Sequence, residues 1–218
     1  MALKLYLHPL SSYCWKVLIA LYENGTPFEP LLLDVEANQA ELKRLWPIGK
    51  MPLLRDEARD HTVPETSIII EYLARHYPGP QELLPTDPDA SRQARLRDRF
   101  YDLYVMEPMI KVVTDRLRPE GASDAYGVDK ARGMLRTAYG MIEQDMADKA
   151  WAMGEDFTLA DCAAAPPLFF LDRFEPFRDG HPNLAAYADR LAARPSVARA
   201  REGAEPFLHM VPGWAEAA

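Results

Sequence analysis

The sequence predicts two folded units, a small α/β unit followed by an all-helical one, and three observations carry that expectation. Residues 3–77 read in the order β-α-β-α-β-β-α. The stretch from His76 to Asp89 then crowds Pro78, Pro80, Pro85 and Pro88 together, which excludes extended helix or sheet there. Beyond it, apolar residues recur at helical spacing with no strand-like alternation of comparable strength. A chain of 218 residues suits one or two domains of ordinary size, so we expect units at 1–78 and 89–218 joined by a linker over 79–88.

Element by element, Leu3–Leu7 alternates apolar and polar residues as a half-buried strand does. Tyr13–Tyr22 sets Val17, Leu18, Leu21 and Tyr22 at helical spacing, and Asn24-Gly25 closes that helix. Phe28–Val35 reads as a second strand and Ala37–Leu45 as a polar helix. Short strands at Met51–Arg55 and His61–Val63 precede a helix marked by Ile68, Ile69, Tyr72 and Leu73. Strands joined through a helix lie parallel, and strands joined by a tight turn pair antiparallel, so the order predicts a small mixed sheet flanked by helices. Further helices are expected over Leu96–Thr114, Ala131–Met146, Leu159–Arg173 and Leu184–Leu191.

Composition narrows the function. With 48% hydrophobic and 27% charged residues the chain is neither disordered nor fibrous. A net charge of −8 and a pI near 5.2 repel phosphate backbones and anionic lipid, and no basic patch dominates, so neither a nucleic-acid nor a membrane partner is expected. The start, Met1 to Pro9, lacks the pattern of a signal peptide, and no apolar run approaches the ~20 residues of a membrane span. Cys14 and Cys162 stand alone, which points to a reducing, cytoplasmic setting. His8, His61, His76, His181 and His209 show no metal-pair spacing, and no metal is expected. Arg92, Arg95 and Arg99 share one helical face, interleaved with Asp89, Asp98 and Asp102; the expectation is a solvated or dimer-facing surface.

Three segments sit where a binding site would be built. Ser11-Ser12-Tyr13-Cys14-Trp15-Lys16-Val17 joins the first strand to the first helix, where open amides attract negative charge and where a serine also commonly caps the helix. Gly49-Lys50-Met51-Pro52-Leu53-Leu54 begins an apolar strand with a proline; a cis Met51-Pro52 bond would turn the Met51 backbone outward to pair with an extended peptide, and a trans one would mark only a strand edge. Pro64-Glu65-Thr66-Ser67 opens a helix with hydroxyls and free amides that can hold a carboxylate, or that simply cap it.

These segments, in this order, resemble the glutathione-binding domain of the cytosolic glutathione transferases. Phe157-Thr158-Leu159-Ala160-Asp161 resembles the family's capping box, with Phe157 placed as a hydrophobic staple, and His181-Pro182-Asn183-Leu184 and Arg194-Pro195-Ser196-Val197 also look like family segments. The resemblance implies a thioredoxin-like first domain, an all-helical second domain, glutathione as co-substrate and a homodimer. It implies that Ser11 is the serine of the serine-type classes, nearest the zeta/theta-like bacterial members. By the same match the Met51 backbone, ahead of Pro52, pairs with the cysteinyl part of glutathione, Glu65 and Thr66 hold the γ-glutamyl end, and Lys50 meets the glycyl carboxylate. Trp46 stands where the family commonly has asparagine, Thr66 where serine is more frequent, and Tyr13 adds a hydroxyl beside the sulfur, so Ser11, Ser12 and Tyr13 all remain candidate donors.

An ordinary thiol, with a pKa of about 8.5, is mostly protonated at neutral pH. A hydroxyl from Ser11 and the positive end of the first helix would favour the thiolate, so Ser11 is expected to donate to a nucleophile and not to be one. Tyr101, Tyr104, Met106 and Met109 are the expected lining of an adaptable apolar pocket for a small electrophile, as are Phe207 and Trp214, although such residues also form cores. Cys14 and Cys162 read as packing. The expected activity is detoxifying conjugation of glutathione to a hydrophobic electrophile. The alternatives are peroxide reduction, isomerisation of a maleyl-type diacid, for which Arg116 and Arg118 are the available cations, or a glutathione-binding interaction module.

Overall fold

The structure, a computed structural model, describes residues 2–214. Its first unit runs β1 (Leu3–Leu7), α1 (Ser12–Glu23), β2 (Glu29–Leu32), α2 (Glu36–Leu45), β3 (Leu53–Asp56), β4 (His61–Pro64) and α3 (Thr66–His76). The sheet order is β2-β1-β3-β4, with β1 parallel to β2 and antiparallel to β3, and β3 antiparallel to β4. Leu5 faces Pro30 on one side and Leu54 on the other. Pro30 is tolerated because β2 is an edge strand, where a missing N–H breaks no central ladder.

The period-two alternation of β1 covers both faces of the sheet. Leu3, Leu5 and Leu7 join the main core with α1, while Tyr6 packs with Leu53 and with Leu42 of α2. This explains the polarity of α2, of which Leu42 alone is buried. The expected order of elements is the observed one. Three strands differ in extent, since β2 stops at Leu32, β3 starts at Leu53 and β4 runs on to Pro64. Beyond Leu32 the side chains of Asn38 and Gln39 take up the carbonyls of Leu32 and Leu33, turning the chain out of the sheet and into α2.

The second unit is helical: α4 (Pro88–Phe100), a π-helical stretch (Tyr101–Met106), α5 (Glu107–Thr114), α6 (Ala125–Asp145), α7 (Leu159–Phe174), α8 (Pro182–Ala193) and α9 (Pro195–Ala204). Asp87 caps α4 by accepting the Ala90 amide at 2.8 Å, and Pro88 suits the first turn, where its missing N–H would have no partner. The Thr158–Asp161 capping box forms. Asp161 accepts the Thr158 amide at 2.8 Å, the Ala152 amide at 2.8 Å and the Tyr187 hydroxyl at 2.7 Å, so it ties α7 to α8 as well as capping it. The helix α9 was not among the expected elements.

One hydrophobic core runs through both units, because α1 packs on α3 from its own unit and on α7 and α9 from the other. The N-terminus of α1 therefore opens at the seam between them. No described helix is long and apolar enough to cross a membrane.

Candidate functional site

Two cavities meet at that seam. The polar one, of about 160 Å³, gathers Tyr13, Trp46, Lys50, Met51, Pro52, Glu65 and Thr66, closed from α4 and its continuation by Arg99, Asp102, Leu103 and Glu107. The apolar one, of about 220 Å³, runs from Leu10, Ser11, Ser12 and Tyr13 to Met109, Ile110, Val113 and Thr114 of α5, Phe170 of α7 and the segment 210–212. Tyr13 borders both. Among the described residues no charged side chain lines the apolar cavity.

The turn into α1 fixes Ser11. Its amide donates to the His8 carbonyl at 3.0 Å, and the Trp15 indole anchors the same turn through the Pro9 carbonyl at 2.5 Å. Ser11 is the N-cap, its Oγ accepting the Cys14 amide at 3.3 Å. A hydroxyl that accepts in this way keeps its O–H to donate elsewhere, so capping and a role at a sulfur are compatible. Burial, with Asp102 adding to it, pushes the Tyr13 phenol up to about 12. Tyr13 is therefore a neutral donor at neutral pH. Burial likewise pushes the fully enclosed Cys14 thiol up to about 11, against the opposing bond from Ser11, and raises the Cys162 thiol well above its ordinary value. Both thiols are protonated packing groups.

The other two walls depend on unusual backbone. Gly49 has φ +71°, which a side chain would resist, and it turns Lys50 and Met51 into the cavity. The Met51-Pro52 bond is cis. Glu65 also has positive φ, +69°, a conformation that costs a non-glycine residue about 1–3 kcal/mol and concentrates at functional sites. It places Thr66, buried, at the first turn of α3, where the open amides of a helix N-terminus can hold an anion.

The polar cavity also contains residues that sequence reasoning did not assign to it. Trp46 was marked as a departure from the family pattern and is a wall of this cavity. Arg99, which lines the cavity with Asp102, is exposed as a solvated or dimer-facing surface requires, but for the carboxylates the structure corrects that expectation: Asp98 and Asp102 are 1% and 3% exposed. They turn inward because Lys16, itself 0% exposed, lies between them, its Nζ 2.5 Å from Asp98 and 2.8 Å from Asp102. A signal was available, since Lys16 interrupts an otherwise apolar helix face.

The expected electrophile lining is corrected in part. Tyr101 and Met106 are core residues, 3% and 0% exposed, and line neither cavity. Tyr104 is exposed and lines neither. Met109 does line the apolar cavity. Phe207 packs its ring edge on His8, and Trp214 borders a larger cavity of about 690 Å³ between α7, α8 and α9, to which the three marked segments contribute Trp15 alone. Arg116 stacks on Phe174 and Arg118 reaches the Ala122 carbonyl at 2.9 Å, so neither reaches the cavity beside Ser11. Among the described residues no group of acidic, cysteine and histidine side chains could hold a metal ion.

A mixed sheet joined to a helical unit, with a polar cleft against one helix N-terminus and an apolar pocket beside it, is the arrangement that the resemblance implies for a glutathione-dependent transferase. Comparison with known proteins gives the same class. Residues 5–81 match the model for the glutathione S-transferase N-terminal domain and residues 101–195 that for the C-terminal domain. The chain is 34% identical to a glutathione S-transferase from Methylobacterium radiotolerans solved in complex with glutathione sulfonate, with a TM-score of 0.78 over 91% of this chain and 93% of that one. It is 26% identical to glutathione S-transferase GstB of Escherichia coli (84% and 89% covered), and 31% identical to a stringent starvation protein A homolog of Pasteurella multocida (72% and 69% covered). The chain belongs to the glutathione S-transferase family.

Proposed function

We propose that the protein is a glutathione transferase in which the polar cavity holds the tripeptide and Ser11 donates its hydroxyl hydrogen bond to the sulfur. The observation that carries this reading is the meeting of a polar and an apolar cavity at the N-terminus of α1. The sulfur of a tripeptide lying in the first would face an electrophile held in the second. In this reading the Met51 backbone pairs with the cysteinyl residue, Thr66 and the α3 amides with Glu65 take the γ-glutamyl end, and Lys50 takes the glycyl carboxylate. The helix dipole and one hydroxyl stabilise the thiolate, and no base is needed because the thiol proton leaves to water.

The apolar cavity, without charged lining, favours an uncharged electrophile over a diacid, which would need cations there. A cytoplasmic, homodimeric enzyme of detoxification is the setting this reading implies. A second reading, a glutathione-binding module with weak catalysis, is kept because one matched relative, a stringent starvation protein A homolog, does not carry the name of a transferase. One experiment separates them. The purified protein with glutathione is offered aryl halides, unsaturated carbonyls, hydroperoxides and maleyl diacids. We expect saturable turnover of an uncharged member; glutathione binding with no turnover of any member would favour the module, and turnover of the diacids alone would overturn the uncharged-substrate assignment.

A further inference from the structure

Tyr13 is the one described residue that borders both cavities. In the reading above the cysteinyl backbone lies against Met51 in the polar cavity, while Ser11, which donates to the sulfur, lines the apolar one. The sulfur therefore crosses where Tyr13 stands, and the carbon it attacks lies beside the same ring.

Among the described residues four with hydroxyls line the apolar cavity, Ser11, Ser12, Tyr13 and Thr114. Ser11 is assigned to the sulfur, and Thr114 donates to the Ile110 carbonyl at 2.7 Å. Ser12 is short and lies in the first turn of α1, 7% exposed. Tyr13 has the longer reach. Its hydroxyl also differs from those of Tyr72, Tyr139 and Tyr187, which donate to Asp56, the Glu175 carbonyl and Asp161 at 2.7, 2.9 and 2.7 Å. Among the described residues the Tyr13 hydroxyl has no acceptor, and it is not one of the enclosed side-chain atoms left without a partner, so it opens onto cavity space. A phenol that is neutral at neutral pH, unbonded and beside the reacting carbon is a donor already in place for an oxygen that gains charge.

We propose that Tyr13 is a second catalytic residue, donating its hydroxyl hydrogen bond to the oxygen of an α,β-unsaturated carbonyl electrophile as the sulfur adds to it. This rests on the assignment of glutathione to the polar cavity. The thiolate forms the C–S bond at the β-carbon, the C=C pair moves between the α-carbon and the carbonyl carbon, and the carbonyl pair moves onto oxygen, where Tyr13 stabilises the enolate. The proton that the thiol gave to water returns from water to the α-carbon, and no group leaves. Ser11 thus acts on the nucleophile and Tyr13 on the electrophile. An alkyl halide draws no help from Tyr13, because its charge departs on the halide.

The test compares an uncharged unsaturated ketone, but-3-en-2-one, with benzyl chloride, each with glutathione, on the parent chain, Tyr13→Phe and Ser11→Ala. Tyr13→Phe removes no bond to a described residue, so the fold is expected to persist. Loss of a hydrogen bond to a charged oxygen should lower its ketone-to-chloride ratio of kcat/KM by about ten- to a hundred-fold. Ser11→Ala, which acts through the sulfur common to both reactions, should keep the ratio within about two-fold of the parent's. An equal loss on both substrates in Tyr13→Phe would make the ring structural or its hydroxyl a donor to sulfur, and no loss would make it idle; either overturns the proposal. A parent that turns over the chloride and not the ketone overturns it too, while one that turns over neither overturns the transferase reading itself.

Discussion

At residue 11 one hydroxyl has two partners available to it. Its oxygen accepts the Cys14 amide, and its hydrogen is free to meet a sulfur, so the cap and the donor are one group. Replacing Ser11 by alanine should remove a charge-assisted hydrogen bond worth about 1.5–3 kcal/mol, raising the pKa of the bound thiol by about one to two units with glutathione affinity changed by no more than a few-fold; near-ultraviolet thiolate absorbance against pH reads this. Tyr13→Phe should move the same curve less, and the reverse order would make Tyr13 the donor. Cys14 and Cys162, enclosed and protonated, should resist alkylation at neutral pH in the folded protein and react on unfolding. Rapid native labelling of either would show that its helix opens. Ser11, Met51, Glu65 and Thr66 were legible because each lies at a junction of elements where local geometry leaves backbone amides open, and Pro52 because a proline opening an apolar strand is a local signal. Lys16, Asp98 and Asp102 were not, because a cation on α1 and anions on α4 each look like solvated charges until the two helices are brought together.

Among the elements, β3 and α3 are joined through one carboxylate. Asp56 ends β3, accepts the hydroxyls of Tyr72 and Tyr77 at 2.7 and 2.6 Å, and takes the amides of Ala58 and Arg59. Burial alone would raise this carboxyl, but the bonds from Tyr77, Tyr72 and the two amides outweigh it and hold it below the usual carboxylate range. A carboxyl with a depressed folded pKa contributes stability that is present above its unfolded value of about 3.9 and lost as the pH falls through the folded value. Asp56→Asn should thus lower stability by roughly 2–3 kcal/mol at neutral pH, with a smaller deficit at strongly acidic pH; urea unfolding at both pH values measures it, and an equal deficit would show that the charge is not what matters. Element order and capping were readable because periodicity and the Thr158–Asp161 spacing are local signals. The extent of β2 was not, since Asn38 and Gln39 end it from the next helix. The α9 helix was missed because its Ala- and Arg-rich turns, buried through Ser196, Val197, Ala200 and Ala204, give too short an apolar stripe to stand out.

In the whole molecule, α1 is shared property: it belongs to the first unit by chain order and to both by packing. This is why the site opens where the units meet, and why the proline-rich connection marks a boundary in sequence without dividing the core. The outer face of α3, α4 and the π-helical stretch, bridged by the Arg95–Glu71 pair at 2.7 Å, leaves Ile68, Leu96 and Tyr104 exposed, and these are the side chains that the proposed homodimer would cover. Sedimentation should give twice the protomer mass for the parent and a shift towards the protomer for Leu96→Glu; a monomeric parent would rule the dimer out. The central claim is that the N-terminus of α1 makes a bound thiol easier to ionise. Its most direct measurement is a pH titration of the thiolate of glutathione bound to the unaltered protein, beside the free tripeptide. The account predicts a midpoint about two units below that of the free thiol, a stabilisation of roughly 2.7 kcal/mol, and coincident midpoints would contradict it.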